Sequence, residues 1–281
     1  MKRRDLIKYS LAGGLASSHI IGRAFAAVAP AASDVLVTTL GGDQQLLPRG
    51  PIEALQEALS GQVLQHSHPA YDTTRRVWNG LVDKYPALIA QCVDSDDVVA
   101  AVNFAREHKL LTSVRCGGHN YAGKAVAENG LMIDLSLMNS VQVDPERKIG
   151  WVGGGAKLGV LDRGTLAHRL ATTAGNDSDT GIGGLCLGGG LGRLNRMYGL
   201  TIDNLVGADI VTADGILRRA SASENPDLFW AIRGGGGNFG VVTRFKLRLH
   251  DFDPTIYGGH IVFPFEQAQP FLNFVAQWER D

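Results

Sequence analysis

Hydrophobic residues recur along the chain at two different spacings, which indicates a mixture of helices and strands. Between residues 95 and 108 the apolar side chains fall on one helical face, with Ser95 as the predicted cap. Residues 241–249 alternate between apolar and polar side chains, as a half-buried strand does. The predicted helices cover residues 51–59, 95–108, 158–170, 191–198, 227–233 and 266–280. The predicted strands cover residues 89–93, 110–115, 131–135, 141–143, 149–152, 208–212, 216–219, 241–249 and 257–263.

The order of these elements predicts an α+β fold. Asp214-Gly215 lies between two apolar runs and predicts a hairpin turn. The main domain is expected over residues 79–250. Residues 27–78 are predicted to be a linker, rich in Ala, Pro, Gly and Ser up to residue 50, with one N-terminal helix. Residues 251–281 offer one strand and one helix, which is too little for a second sheet.

The amino-acid composition argues against a nucleic-acid-binding protein and against a metal site. The 281 residues carry 27 Lys and Arg against 28 Asp and Glu, so no basic surface is expected and nucleic acid is not an expected partner. The three cysteines, Cys92, Cys116 and Cys186, are far apart and lack metal-ligand spacing. We therefore expect no metal site, and we interpret these cysteines as small buried side chains.

The N-terminus has the three parts of an export signal. A basic segment, Lys2 to Lys8, precedes an apolar run, Leu11 to Ile21, and then Ala24-Phe25-Ala26. The paired arginines resemble a twin-arginine signal, and an ordinary secretory signal or a stray basic N-terminus is the alternative. Because the apolar run is shorter than the roughly 20 residues of a membrane span, no span is expected. Residues 1–26 thus predict a periplasmic or secreted protein.

Two glycine-rich segments are the strongest candidates for chemistry. The first runs from Arg115 to Gly123 and the second from Gly181 to Gly192. Bare backbone permits close approach of a ligand and leaves N–H groups free for negative charge, so a phosphate-bearing cofactor is expected. Arg115 either binds phosphate oxygens or forms a salt bridge. His119 is either a nucleophile facing the ligand or a histidine that bonds a loop carbonyl.

A dinucleotide-binding fingerprint for a nicotinamide cofactor is the alternative interpretation of the high glycine content. One G-x-G-x-x-G match exists, at Gly235, Gly237 and Gly240. That fingerprint needs a strand before it and a helix after it. Here a predicted helix comes first and a predicted strand follows. The match therefore indicates a turn between helix and strand.

Four ordered blocks of the chain resemble the berberine bridge enzyme group of FAD-linked oxidases, which share the FAD-binding domain of vanillyl-alcohol oxidase and p-cresol methylhydroxylase. The resemblance extends from about Tyr71 to His250. The blocks are residues 115–123, residues 181–192, residues 198–205 with Tyr198-Gly199-Leu200 and Asp203-Asn204-Leu205, and residues 233–243 with Asn238-Phe239-Gly240-Val241-Val242-Thr243.

The resemblance implies a two-subdomain FAD-binding domain and a role for each matching residue. The first loop would hold the FAD pyrophosphate, His119 would bond covalently to the flavin ring, and the second loop would lie against that ring. Asp177 stands where some relatives have a second linking cysteine, so a single covalent link is expected. Thr180 matches a position that in relatives influences dioxygen access. The predicted cofactor-binding set is Arg115, Gly117, Gly118, His119, Asn120, Gly123, Gly175, Asp177, Gly181, Ile182, Gly183, Gly184, Gly188, Gly189 and Val242.

The implied activity is that of an FAD-dependent oxidoreductase. It would take hydride from a C–H beside an alcohol or amine of a small molecule, such as a sugar or a secondary metabolite, and pass electrons to dioxygen or another acceptor. Relatives continue well beyond this point, so residues 251–281 are expected to be only the start of a truncated substrate domain. A flavin-binding remnant without turnover is the alternative, and a nicotinamide enzyme or non-catalytic binding module is a third class. No catalytic base is assigned, since His68, His168 and His260 are typical surface or packed histidines.

Overall fold

The computed structural model describes residues 32–255 and 258–280. The export signal predicted over residues 1–26 lies outside these residues. The strands are β1 Val35–Thr38, β2 Gln44–Leu47, β3 Gln62–Leu64, β4 Leu88–Gln91, β5 Thr112–Arg115, β6 Leu131–Asp134, β7 Val141–Asp144, β8 Ile149–Gly153, β9 Leu170–Ala171, β10 Leu205–Val211, β11 Leu217–Ser221, β12 Val241–Arg248 and β13 His250–Asp251. The α-helices are α1 Arg49–Ala58, α2 Tyr71–Arg75, α3 Ser95–Glu107, α4 Leu158–Leu166, α5 Ile182–Leu187, α6 Asn195–Tyr198, α7 Pro226–Ile232 and α8 Ala268–Trp278.

The first half of the fold is a four-stranded sheet in the order β3-β4-β6-β5. Strands β4, β6 and β5 are parallel, and β3 is antiparallel to β4. Every residue of β4 and β6 is buried, as expected for the centre of a covered sheet. Helix α3 packs Val98, Ala101 and Phe104 into the same core. The first glycine loop leaves this sheet directly after β5.

The second half is a five-stranded antiparallel sheet in the order β11-β10-β12-β8-β7. Strand β12 alternates between buried and exposed side chains after Thr243, which leaves one face for the core. Helices α4, α5 and α7 cover that face and join one core with Phe245 and Leu247. The mixture of a largely parallel and an antiparallel sheet with helices confirms the predicted α+β class.

Backbone contacts join the two halves along a narrow seam. A Cβ on Gly155, just after β8, would lie 1.6 Å from the carbonyl oxygen of Leu135, just after β6. The Ser95 hydroxyl donates to Thr243 Oγ1 at 2.9 Å across the same seam. Two cavities lie there, one of about 420 Å³ lined by residues such as Ser95 and Thr243, and one of about 290 Å³ lined by residues such as Arg115 and Gly155. The seam therefore leaves space for a ligand between the sheets.

The linker predicted up to residue 50 is wrong for residues 35–47. Strands β1 and β2 form a hairpin there, and Val37 and Leu47 are buried in the first core. Helix α1 adds Ile52 and Leu55 to that core, so this segment is part of the same packed unit as the parallel sheet. The hairpin was missed because its strands are only four residues long and half of their side chains are exposed.

Three further boundaries differ from prediction. Asp94, not Ser95, caps α3, and its side chain accepts from the N–H of Asp97 at 2.9 Å. Helix α4 ends at Leu166, because Arg169 takes a left-handed φ of 55° before β9 pairs with β13. The strand predicted over residues 257–263 is absent from residues 258–263, the part that the structure describes. Among the described residues, no helix has the length and apolar character needed to cross a bilayer.

Asp97 ties the start of α3 to the first sheet. Its buried carboxylate accepts from the backbone N–H groups of Ser60 at 2.7 Å, Gly61 at 3.0 Å and Val93 at 2.9 Å. Removal of this carboxylate leaves three donors without their acceptor, and each such loss costs about 1–3 kcal/mol when the group is buried.

We expect Asp97→Ala to lower the free energy of unfolding by about 2–4 kcal/mol, measured by urea denaturation. Asp96→Ala is the matched control, because Asp96 is the exposed neighbour in the same helical turn and contributes mainly to the helix dipole, about 0.3–1 kcal/mol. Equal losses in the two variants would contradict this role for Asp97.

Candidate functional site

The two glycine loops meet in the structure. A Cβ on Gly117 would lie 2.3 Å from the backbone nitrogen of Gly181, and a Cβ on Gly181 would lie 2.3 Å from the nitrogen of Gly117. Distances below 3.0 Å exclude any side chain at these positions without a shift of the backbone. Segments that are more than sixty residues apart in sequence therefore form one site, as the resemblance implies.

Each loop is fixed by the half of the fold that it leaves. The first follows the carboxyl end of β5, and Gly118 and Gly123 turn it with left-handed φ values of 71° and 68°. The second is held to the segment after β8, because the N–H of Ile182 donates to the Ala156 carbonyl at 2.9 Å. Their contact thus lies on the seam between the two sheets.

Several backbone groups of the site are open to a ligand. Within the described residues, the N–H groups of Gly118, His119 and Asn120 donate to no protein acceptor. Gly184 lies inside α5 and is exposed, and a Cβ there would meet no protein atom within 4 Å. A glycine inside a helix costs about 0.5–1 kcal/mol relative to alanine, so packing within the protein does not account for this one.

His119 occupies the centre of the site. Its side chain is 17% exposed and stacks on Trp78, with ring centroids 5.4 Å apart. Nδ1 lies 3.3 Å from Oγ1 of Thr180, the residue directly before the second loop. Nε2 is buried and has no hydrogen-bond partner among the described residues, and the nearest carboxylate oxygen in an ion-pair contact, on Asp179, is 3.9 Å away. Neither ring nitrogen bonds a loop carbonyl of the described chain, so that alternative interpretation of His119 is wrong.

Arg115 forms a salt bridge, which was the alternative to a phosphate contact. Its Nη1 donates to Asp134 Oδ1 at 2.9 Å, and Asp134 is fully buried at the end of β6. The same carboxylate accepts from Gln91 and from the Ser136 hydroxyl. The charge of Arg115 compensates a buried carboxylate that would otherwise be costly. Its Nε has no hydrogen-bond partner among the described residues, so the salt bridge does not exclude a phosphate contact, and that contact stays a prediction.

The remaining predicted residues lie around the loops and differ in how far they are buried. Asp177 is exposed, and its Oδ1 accepts from the N–H of Asp179 at 2.9 Å. Gly175 packs against Leu158 and Leu185, so its lack of a side chain serves the second core. Gly188 and Gly189 follow the end of α5. The Val242 side chain is buried in the second core, which leaves only backbone for a ligand.

Sequence reasoning missed Trp78, Lys157 and Asp179. Trp78 stacks on His119, and Lys157 Nζ donates to Asp179 Oδ1 at 2.6 Å. The only signal for Asp179 was its position directly before Thr180 and the second loop. Burial raises the pKa of the Cys116 thiol, which packs beneath Gly181 and Gly183, so this cysteine is a packing group.

Comparison with known proteins identifies the fold. Residues 86–221 match the family model described as an FAD binding domain. The chain is 38% identical over 206 residues to the (R)-6-hydroxynicotine oxidase of Paenarthrobacter nicotinovorans, covering 73% of this chain and 45% of that protein. It is 33% identical over 241 residues to the xylooligosaccharide oxidase of Thermothelomyces thermophilus, covering 82% of this chain and 47% of that protein. This chain carries the FAD binding domain that FAD-linked oxidoreductases share.

Solved structures of FAD-linked oxidoreductases share the architecture. The 6-hydroxy-D-nicotine oxidase of Arthrobacter nicotinovorans superposes with a TM-score of 0.68 at 39% identity, over 69% of this chain and 43% of that chain. Glucooligosaccharide oxidase of Acremonium strictum, which has a 6-S-cysteinyl, 8α-N1-histidyl FAD, superposes with a TM-score of 0.66 at 34% identity, over 72% of this chain and 43% of that chain. The predicted two-subdomain fold of the p-cresol methylhydroxylase type is confirmed. The chain spans less than half the length of these relatives.

The loop contact makes a direct prediction for stability. We expect Gly117→Ala to lower the free energy of unfolding of the flavin-free protein by about 1–3 kcal/mol, because the methyl group must push two backbones apart. Gly184→Ala is the control, and there the flavin-free protein should be unchanged or more stable by up to about 1 kcal/mol. Urea denaturation of both variants measures the difference, and equal values would refute the close approach of the loops.

Proposed function

We propose that this chain binds FAD at the junction of its two glycine loops, with one covalent link through His119. The intact protein would use the cofactor to oxidise a C–H beside an alcohol or amine of a small molecule, with dioxygen or another electron acceptor. The observation that carries the proposal is the convergence of bare backbone around a histidine whose two ring nitrogens bond no loop carbonyl of the described chain.

The residues present fit an FAD. The free N–H groups of Gly118, His119 and Asn120 suit a pyrophosphate, because successive backbone donors form an anion-binding concavity. The open backbone at Gly184 suits a planar ring that needs contact without side chains. His119 is held between Trp78 and Thr180, so its imidazole keeps one orientation.

FAD supplies a ring that accepts hydride when it is bound. The chain itself contributes orientation: the first loop would bind the charged part of FAD, and the second loop would support the ring. The names of relatives support small-molecule substrates, since they include oxidases of 6-hydroxynicotine and of xylooligosaccharides. We assign no catalytic base.

A flavin-binding protein without turnover is the second candidate. It is supported by helix α8, whose side chains include no buried residue and which packs on neither core in the described structure. Protein that holds FAD but is not bleached by any alcohol, sugar or amine under anaerobic conditions would favour this candidate. Bleaching followed by recovery of the yellow colour in air would favour the oxidase.

The proposal includes export. The basic, apolar and small-residue order of residues 1–26 supports a periplasmic or secreted protein. Twin-arginine export carries folded proteins, so a cofactor inserted in the cytoplasm would travel with the chain, and a covalent link would prevent its loss.

We expect acid-precipitated wild-type protein to stay yellow and His119→Ala to release its flavin into the supernatant, because only a covalent bond survives unfolding. The flavin absorbance of the pellet and of the supernatant measures how much flavin is retained and how much is released. Mass spectrometry of the His119 peptide identifies the flavin adduct. His168→Ala is the control, since His168 is exposed and lies outside the loops. A colourless wild-type pellet would refute the covalent link.

A further inference from the structure

We propose that Asp179, held in place by Lys157, is a positioning residue that keeps the proton of His119 on Nε2 and so leaves on Nδ1 the lone pair that would bond to the flavin. The inference rests on the proposed function, in which His119 carries the cofactor. It assigns a role to two charged residues that the binding site does not otherwise use.

The first step of the argument is the restraint on the imidazole ring. Trp78 stacks on one face of the ring with an interplanar angle of 23°. The Thr180 hydroxyl lies 3.3 Å from Nδ1, so that nitrogen can accept a hydrogen bond. Nε2 is buried without a partner in the described chain. A proton on Nε2 therefore faces towards Asp179, whose Oδ2 is 3.9 Å away.

The second step is the state of the carboxylate. Lys157 Nζ donates to Asp179 Oδ1 at 2.6 Å, and this ammonium holds the pKa of the Asp179 carboxyl below its ordinary value. Asp179 is thus ionised at neutral pH. The Asp179 side chain is 62% exposed, so a small rotation can close the gap from 3.9 Å to hydrogen-bond length while Oδ1 keeps Lys157.

The third step is the backbone that sets this geometry. The N–H of Leu158 donates to the Thr180 carbonyl at 2.9 Å, and Lys157 and Gly181 form an isolated antiparallel bridge. The cation and the carboxylate are therefore held beside each other by the same pairing that attaches the second loop to the second half of the fold. An ion pair between two freely moving surface side chains would lack this restraint.

The chemistry needs a neutral imidazole with its lone pair on the attacking nitrogen. Attachment forms a bond between Nδ1 and a ring methyl carbon of FAD, breaks one C–H bond of that methyl group, and removes the Nε2 proton of the imidazole. Overall, the imidazole and FAD together lose two protons and two electrons, and dioxygen accepts them to give hydrogen peroxide. A carboxylate facing Nε2 selects the required tautomer and stabilises the positive charge that develops on the ring, as an aspartate does for a catalytic histidine.

The test distinguishes the covalent attachment of FAD from its noncovalent binding. Flavin-free protein is mixed with FAD in air, and the acid-stable flavin is followed with time. We expect Asp179→Asn to slow attachment by roughly tenfold or more, the size of effect seen when a partner of a functional histidine is removed. Asp179→Glu should restore most of the rate. Asp96→Asn is the control, because Asp96 is exposed on α3 and should leave the rate unchanged.

Two further measurements exclude a purely structural role. The Kd of FAD, measured by flavin fluorescence in a His119→Ala background, should change less than about twofold when Asp179→Asn is added. Nitrogen-15 NMR of the flavin-free protein should show the Nε2-protonated tautomer of His119 in wild type and a mixture in Asp179→Asn. A slower rate with unchanged Kd and a lost tautomer preference supports the inference.

Three outcomes would overturn it. Attachment by Asp179→Asn at the wild-type rate removes the role of Asp179 and leaves the proposed function standing. A Kd that weakens in parallel with the rate makes the residue part of the binding surface. Wild-type protein that binds FAD but never retains it in acid removes the covalent link itself, and the inference fails with it.

Discussion

The contact between the backbones of Gly117 and Gly181 is the constraint on which the site depends. At 2.3 Å from a hypothetical Cβ to the opposite nitrogen, neither position tolerates a methyl group. Because one loop leaves the parallel sheet and the other is fixed to the antiparallel sheet, this contact also determines how the two halves meet. The position of His119 beside Thr180 follows from it, since each residue is within two positions of the contact.

Glycines in the two loops serve different purposes, and space around them distinguishes these purposes. At Gly117, Gly181 and Gly155 a side chain would collide with protein backbone, so these glycines are required by the fold alone. Gly184 has open space where its side chain would be, inside a helix where glycine is unfavourable. A stability cost without a packing reason is typical of a functional position. A glycine with open space around it, such as Gly184, is therefore a better indicator of a ligand than a glycine packed against backbone, such as Gly117.

Local pattern in the sequence predicted the regular elements of both cores. The helix over residues 95–108 and the strand over residues 241–249 were placed to within about one residue, because their apolar periodicity is strong. The short β1–β2 hairpin gave no such signal. Convergence of the glycine loops was predictable from composition and resemblance. The partners of Arg115, His119 and Lys157 were not, because each pair joins residues 19 or more positions apart and depends on the folded seam.

The candidate cofactor site and the C-terminal helix are separate in the packing of the described chain. Among the described residues, the three clusters of buried hydrophobic side chains extend no further than Leu247, and Ile182 and Cys186 of the second loop lie in one of them. Helix α8, in contrast, exposes Leu272, Phe274 and Trp278 and adds nothing to the packing of either sheet in the described chain. Residues 32–250 therefore form both sheets and the junction of the glycine loops. Oxidation of a substrate also requires groups that bind it and accept its proton, and we assign no such group among the described residues.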